Sequence, residues 1–172
     1  MRRKVWLLVS AALVALALAS CGSSNTSSTS TSLVSIVDVG CRHLQPYDCQ
    51  DPVQTHYRGI SCSQGAYVIP STKVSLYGGD GNQAGTFELV RSRRCHDAIW
   101  PRVEGLSSNI SVTMALYRPV SHGHDNQSYY QGSAQGTGVV YGNMLNGHHC
   151  LEGEAAVADG PAAKTSSCMH HT

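Results

Sequence analysis

Between residues 66 and 158 apolar and polar positions alternate in short runs, and clusters of turn-forming residues separate the runs. Period-two alternation is what a strand with one buried face produces. The runs predict strands at Ala66–Ile69, Val74–Tyr77, Thr86–Arg91, Ile99–Glu104 and Ile110–Tyr117. Leu33–Val39 reads as an edge strand, and Thr137–Tyr141, Cys150–Glu152 and Ala155–Ala158 close the sheet. In Ser111–Leu116 the alternation is cleanest, with Val112, Met114 and Leu116 on the inward face. Pro70–Thr72, Gly78–Asn82 and Gly105–Asn109 read as turns, because glycine, proline, asparagine and serine interrupt strands. Ser121–Gly138 is polar and glycine-rich and reads as a long surface loop. A short helical turn fits at His96–Ile99, and no stretch carries a convincing 3.6-residue period.

The segment Gly85–Val103 is the expected centre. Phe87 and Leu89 share one strand face and Glu88 takes the other, after which Cys95 and Trp100 follow closely. A large indole beside a cysteine marks the densest part of a small core, because aromatic rings bury the most apolar area per residue. The segment therefore predicts a central hairpin. Short strands at this spacing give an all-β fold, a small disulfide-stapled β-sandwich or barrel with long polar loops.

The N-terminus has a different pattern. Arg2, Arg3 and Lys4 precede the apolar run Val5–Ala19, which is too short to span a bilayer and reads as a signal peptide over residues 1–20. Leu18-Ala19-Ser20-Cys21 resembles a bacterial lipobox, which implies cleavage before Cys21 and acylation of that cysteine, a lipoprotein carrying palmitate-like chains. Two or three acyl chains on one residue suffice for stable anchoring. Residues 21–35 hold a Ser/Thr-rich stretch with nothing to bury, a flexible linker whose Gly22–Ser32 portion reaches roughly 18 Å. Residues 36–172 then form a single extracytoplasmic β-domain.

Beyond Cys21 six cysteines remain: Cys41, Cys49, Cys62, Cys95, Cys150 and Cys168. An even number in an exported chain reads as a disulfide framework whose connectivity spacing alone leaves open. There is no Cys-x-x-Cys pair, hence no support for a zinc ribbon or a thioredoxin-like redox site. Without Arg2, Arg3 and Lys4, 9 of the 12 basic residues face 11 acidic ones. That slightly acidic balance lacks the electrostatic footprint of a nucleic-acid partner.

Nine histidines invite a metal reading. The best grouping is His122, His124 and Asp125, with His148-His149 beside Cys150 second, but no His-Glu-x-x-His helix or paired cysteines complete a zinc site. Cys95-His96-Asp97 juxtaposes a thiol and a base, yet neighbours on a chain point apart, and the disulfide reading of Cys95 is preferred. Gly132-Ser133-Ala134-Gln135-Gly136 lacks nucleophile-elbow spacing, and Glu152 and Glu154 lack the apolar pocket that would raise one carboxyl. No catalytic residue and no cofactor is assigned. Arg91 and Arg93 are expected on one strand face with Arg94 beside them, suited to anionic lipid or wall polymer but diluted by Glu88 and Asp97. Tyr129 and Tyr130 form an aromatic pair that reads equally as an exposed pair of the kind interfaces use or as a core contact.

Cys41…Cys49-Gln50-Asp51-Pro52…Cys62, followed by Glu88-Leu89…Ser92-x-x-Cys95…Ala98-x-Trp100-x-Arg102-Val103, resembles the YjfA-like family of small secreted bacterial proteins of unknown function. The resemblance covers about residues 41–168 and is strongest at 86–103. Arg91 stands where that family commonly has tyrosine, and Pro101 replaces a small residue. The resemblance implies an exported, disulfide-stapled β-domain with Cys41 paired to Cys49, Cys62 to Cys95 and Cys150 to Cys168. It brings no catalytic residues. The expected role is a non-enzymatic binding or interaction module, lipid-anchored at the cell envelope, with a wall polymer or a protein as partner and the 118–149 region as contact surface. The alternative is a metal-dependent envelope hydrolase using His122, His124 and Asp125.

Overall fold

The computed structural model describes residues 35–41, 45–118 and 129–168, the side chains of 35–39, 108 and 129 excepted. The signal segment, Cys21, the linker up to residue 34, His43, His122, His124, Asp125, His170 and His171 lie outside the described residues, as does the side chain of Tyr129. Ten strands form among the described residues: β1 (Ser35–Cys41), β2 (His56–Tyr57), β3 (Ile60–Ser61), β4 (Tyr67–Val68), β5 (Val74–Tyr77), β6 (Gln83–Ser92), β7 (Ala98–Tyr117), β8 (Tyr129–Tyr141), β9 (Glu152–Val157) and β10 (Ala163–Ser166). There is no helix among the described residues, and the fold is all-β.

Strand β7 is the spine. One edge pairs with β8 along most of its length, while the other is shared between β6, opposite Ala98–Glu104, and β9, opposite Val112–Tyr117. β1 extends the sheet beyond β8, β4 and β5 lie beyond β6, and β10 lies beyond β9. The sheet curls into a half-barrel, bringing β9 and β10 against β5 and β6.

Gly105 sits at the bend. Its φ is 80°, in the left-handed region, and the β7–β8 register shifts between Glu104 and Leu106 and again between Leu106 and Ile110. A bulge inserts extra residues into one strand and reverses the phase of its alternation. Accordingly Ile99 and Val103 are buried before the bulge, and Leu106, Val112, Met114 and Leu116 after it. Residues 105–109, expected as a turn, are instead a bulge inside one strand of 20 residues. The expected helical turn at His96–Ile99 is also absent: His96 and Asp97 are left-handed turn residues, and β7 begins at Ala98.

The expected loop through Gly138 is a strand from Tyr129 onward, and β8 has 13 residues. Its inward positions are mostly small, with Gly132, Ala134 and Gly136 buried between Tyr130 and Val140. Small residues there leave volume for Phe87, Leu89, Met114, Leu116 and Leu151, which fill the hollow of the curl. Tyr130 is a fully buried member of this core, packed over Gly142, so of the two readings its sequence left open it is the core contact and not the exposed interface residue.

The reverse face of the β6–β7 hairpin is covered too. Val90, Ala98 and Trp100 cluster there with Cys62, Cys95 and Met144, and Tyr47, Tyr57, Ala66 and Val68 pack against them. Trp100 therefore anchors the smaller of two cores, opposite the one that Phe87 and Leu89 enter. Pro101 fits mid-strand because its register partner Leu89 directs both backbone groups away: the Leu89 N–H donates to Thr72 Oγ1 and its carbonyl accepts from Ile69.

Glu88 faces this second side and is fully buried. Arg102 Nε donates to its Oε1 at 2.6 Å, and Lys73 Nζ lies 3.2 Å from Oε2. Glu104 completes the group, 3.1 Å from Lys73 and 3.3 Å from Arg102. The Glu104 carboxylate, then that of Glu88, pushes the Lys73 ammonium pKa above its ordinary value. Glu88 is thus neutralised on the sheet and does not dilute the arginines beyond β6, as its sequence position predicted.

Three disulfides close the framework: Cys41–Cys49, Cys62–Cys95 and Cys150–Cys168. They are the pairs the family resemblance implied. Bridges of this number mark an oxidising, extracytoplasmic location.

Candidate functional site

The turn between β6 and β7, residues 93–97, is fixed from three sides. Cys95 is bridged to Cys62 and fully buried, and the Ala98 N–H donates to the Cys95 carbonyl at 3.0 Å. Behind the turn, the Ile99 N–H donates to the Leu145 carbonyl and the Leu145 N–H returns a bond to Ile99, both at 2.8 Å. Gly147 lies so close that a Cβ there would collide with the Asp97 carbonyl oxygen and stand 2.8 Å from Ile99 Cγ1. Gly147→Ala should therefore displace the turn and destabilise the fold by about 2 kcal/mol. Urea unfolding checks the magnitude, and an unchanged midpoint would show that the turn yields freely.

His96 and Asp97 have φ values of 52° and 59°, two successive non-glycine residues in the left-handed region. Tyr47, Cys49 and Arg58 share that conformation, at 73°, 65° and 52°. All five lie on or beside the same aromatic group. The Tyr47 and His96 rings stack with centroids 5.4 Å apart, Tyr57 meets His96 edge-on at 5.5 Å, and the Arg58 guanidinium sits over Tyr57 at 5.3 Å. Such backbone conformations cost free energy and persist only where the surroundings over-determine them. Here the Cys41–Cys49 and Cys62–Cys95 bridges supply that constraint next to Tyr47 and His96.

Buried Asp48 ties this wall to the chain after β8. Its carboxylate accepts from the Asn146 N–H at 2.7 Å and the Gln45 N–H at 2.9 Å. Cys49 donates to the Met144 carbonyl at 2.8 Å, and Met144 donates back to Gln50 at 2.9 Å.

Two clefts flank the turn. One, of about 400 Å³, is lined by Gln64, Gly65, Tyr67, Arg93 and Arg94. The Arg93 guanidinium lies 5.3 Å from the centre of the Tyr67 ring, and among the described residues neither Arg93 nor Arg94 has a carboxylate partner. The other, of about 390 Å³, is lined by Tyr47, Gln50, His96, Asn146 and His148 among others.

The expected grouping of Arg91 with Arg93 comes apart. Arg91 belongs to β6 opposite Tyr67, whereas Arg93 lies beyond the strand end at Ser92 and joins Arg94 in the turn. Cys95 is bridged to Cys62, so it supplies no thiol beside His96. Ser133 lies inside β8, and Glu154 on β9 pairs with Lys164 at 3.2 Å. Within the 118–149 region, residues 142–147 are buried beneath the turn. Among the described residues no group of three His, Cys, Asp or Glu side chains can hold a metal ion. Tyr47, Tyr57 and Tyr67 were not singled out from the sequence; they sit 20 or more positions before the turn, and the Cys62–Cys95 pairing was the only signal of that proximity.

No family model, curated protein or solved structure matches the chain.

Proposed function

We propose that this chain is an exported, non-enzymatic binding module, lipid-anchored through Cys21 at the cell envelope, whose Arg93–Arg94 cleft takes an anionic envelope polymer. The signal-like N-terminus and the lipobox resemblance support export and anchoring, and the YjfA-like resemblance agrees with a secreted, disulfide-stapled domain. The observation that carries the reading is a pair of arginines with no carboxylate partner among the described residues, beside the exposed Tyr67. Arginine presents a planar fork that matches phosphate or carboxylate oxygens, and stacking on an aromatic ring holds one guanidinium in place.

The test uses the full exported chain carrying Cys21→Ser, which the anchoring reading expects to be soluble. Affinity for inorganic polyphosphate and for polyglutamate separates phosphate from carboxylate recognition. Arg93→Ala with Arg94→Ala should weaken binding at least about tenfold, the scale of one or two charge-assisted hydrogen bonds. Added salt should weaken binding of the unaltered protein, because exposed charges are screened. Equal affinity in the double variant would overturn the reading.

A further inference from the structure

The cleft on the opposite side of the turn has different chemistry. Its walls carry Pro46, Tyr47, Gln45, Gln50, His96 and His148, with no Asp, Glu, Lys or Arg among them. The side-chain amides of Gln45 and Gln50 have no partner among the described residues, so each presents both a donor and an acceptor to the cleft. Asn146 is already committed: its Oδ1 accepts from the His148 N–H at 3.1 Å and its Nδ2 donates to the Pro46 carbonyl at 3.4 Å. It braces the rim instead of offering itself to a ligand.

Tyr47 and His96 add stacked ring surface, and each stands beside a bridged cysteine on a left-handed backbone. The rings are therefore set before any ligand arrives, which spares the ordering cost of binding. Flat rings, uncommitted amides and a lining with no carboxylate, lysine or arginine among the described residues suit a ligand with a weakly polar C–H face and hydroxyls around its edge. A neutral pyranose has that surface. The cleft volume of about 390 Å³ falls in the range of small-ligand sites.

From this geometry we infer that the Tyr47–His96 cleft is a subsite for a neutral saccharide, separate from the arginine cleft. The site binds a sugar ring against Tyr47 and His96 and reads its hydroxyls with Gln45, Gln50 and His148.

The test is a titration of the ¹⁵N-labelled Cys21→Ser chain with β-1,4-linked tetrasaccharides of glucose and of N-acetylglucosamine, followed by amide chemical shifts. Saturable shifts at Tyr47, Gln50, His96 and His148 are expected with at least one of them, at a dissociation constant of about 1 mM. Tyr47→Ala should weaken that binding about tenfold. Absence of saturable shifts with both saccharides, or equal affinity in Tyr47→Ala, overturns the assignment. Should Tyr47→Ala fail to fold, Gln50→Ala decides in its place, a several-fold loss supporting the subsite and unchanged affinity overturning it. Arg93→Ala with Arg94→Ala should leave saccharide affinity unchanged, so this inference and the anion reading can fail separately.

Discussion

Replacing Cys62 and Cys95 together by alanine should lower the unfolding free energy by about 4 kcal/mol, from the loop entropy that a bridge across 33 positions removes from the unfolded chain. The loss should exceed that of Cys41→Ala with Cys49→Ala by about 1 kcal/mol, because that bridge spans only 8 positions. Cys62 and Cys95 are also fully buried members of the second core, so their removal loosens Trp100, Val90 and the turn that separates the clefts. Guanidinium unfolding of the two double variants under non-reducing conditions measures both values. Identical midpoints for the Cys62–Cys95 variant and the parent would mean that the covering segment is held by packing alone.

The second large effect is expected at Glu88. It is fully buried, and its carboxylate lies between Arg102 and Lys73. Glu88→Ala leaves Arg102 beneath the covering segment without its main partner and should cost about 3 kcal/mol. Arg102 is 30% exposed, so part of its charge can rehydrate, which holds the cost at the low end for a broken buried pair. Replacing Glu88 and Arg102 together by leucine and methionine removes both desolvation costs and should be much closer to neutral. Urea unfolding of Glu88→Leu, Arg102→Met and the double variant closes a mutant cycle. Additive losses would show that the pair contributes no coupling, contrary to the geometry.

What the sequence disclosed depended on whether one face alone was buried. Val112, Met114 and Leu116 alternate with exposed Ser111 and Thr113, and their inward facing was legible; Val74–Tyr77 matches β5 residue for residue. Phe87 and Leu89 were placed correctly for the same reason. Glu88 was read as an outward polar residue because nothing local shows that a segment some thirty positions earlier covers that face. Gly105 was read as a turn, since a bulge glycine and a turn glycine have the same local signature. Thr137–Tyr141 was read as strand, but the earlier part of β8 escaped because its inward residues Gly132, Ala134 and Gly136 are small by necessity, facing large partners from other strands, and so carry no hydrophobic alternation. The arginines were noticed, but Arg91 was grouped with Arg93 by strand periodicity that ends at Ser92. Cleft walls assembled from Tyr47, Tyr67 and the 93–97 turn are a tertiary product, set by the bridges at Cys49 and Cys95.

An amide chemical-shift map of the ¹⁵N-labelled Cys21→Ser chain titrated with inorganic polyphosphate would locate the anion site residue by residue. Saturable shifts are expected at Gln64, Gly65, Tyr67, Arg93 and Arg94, diminishing as salt is added. Shifts confined to another surface, such as the cleft formed by Gly79, Asp80 and Ser107, or no saturable shifts at all, would contradict the anion reading.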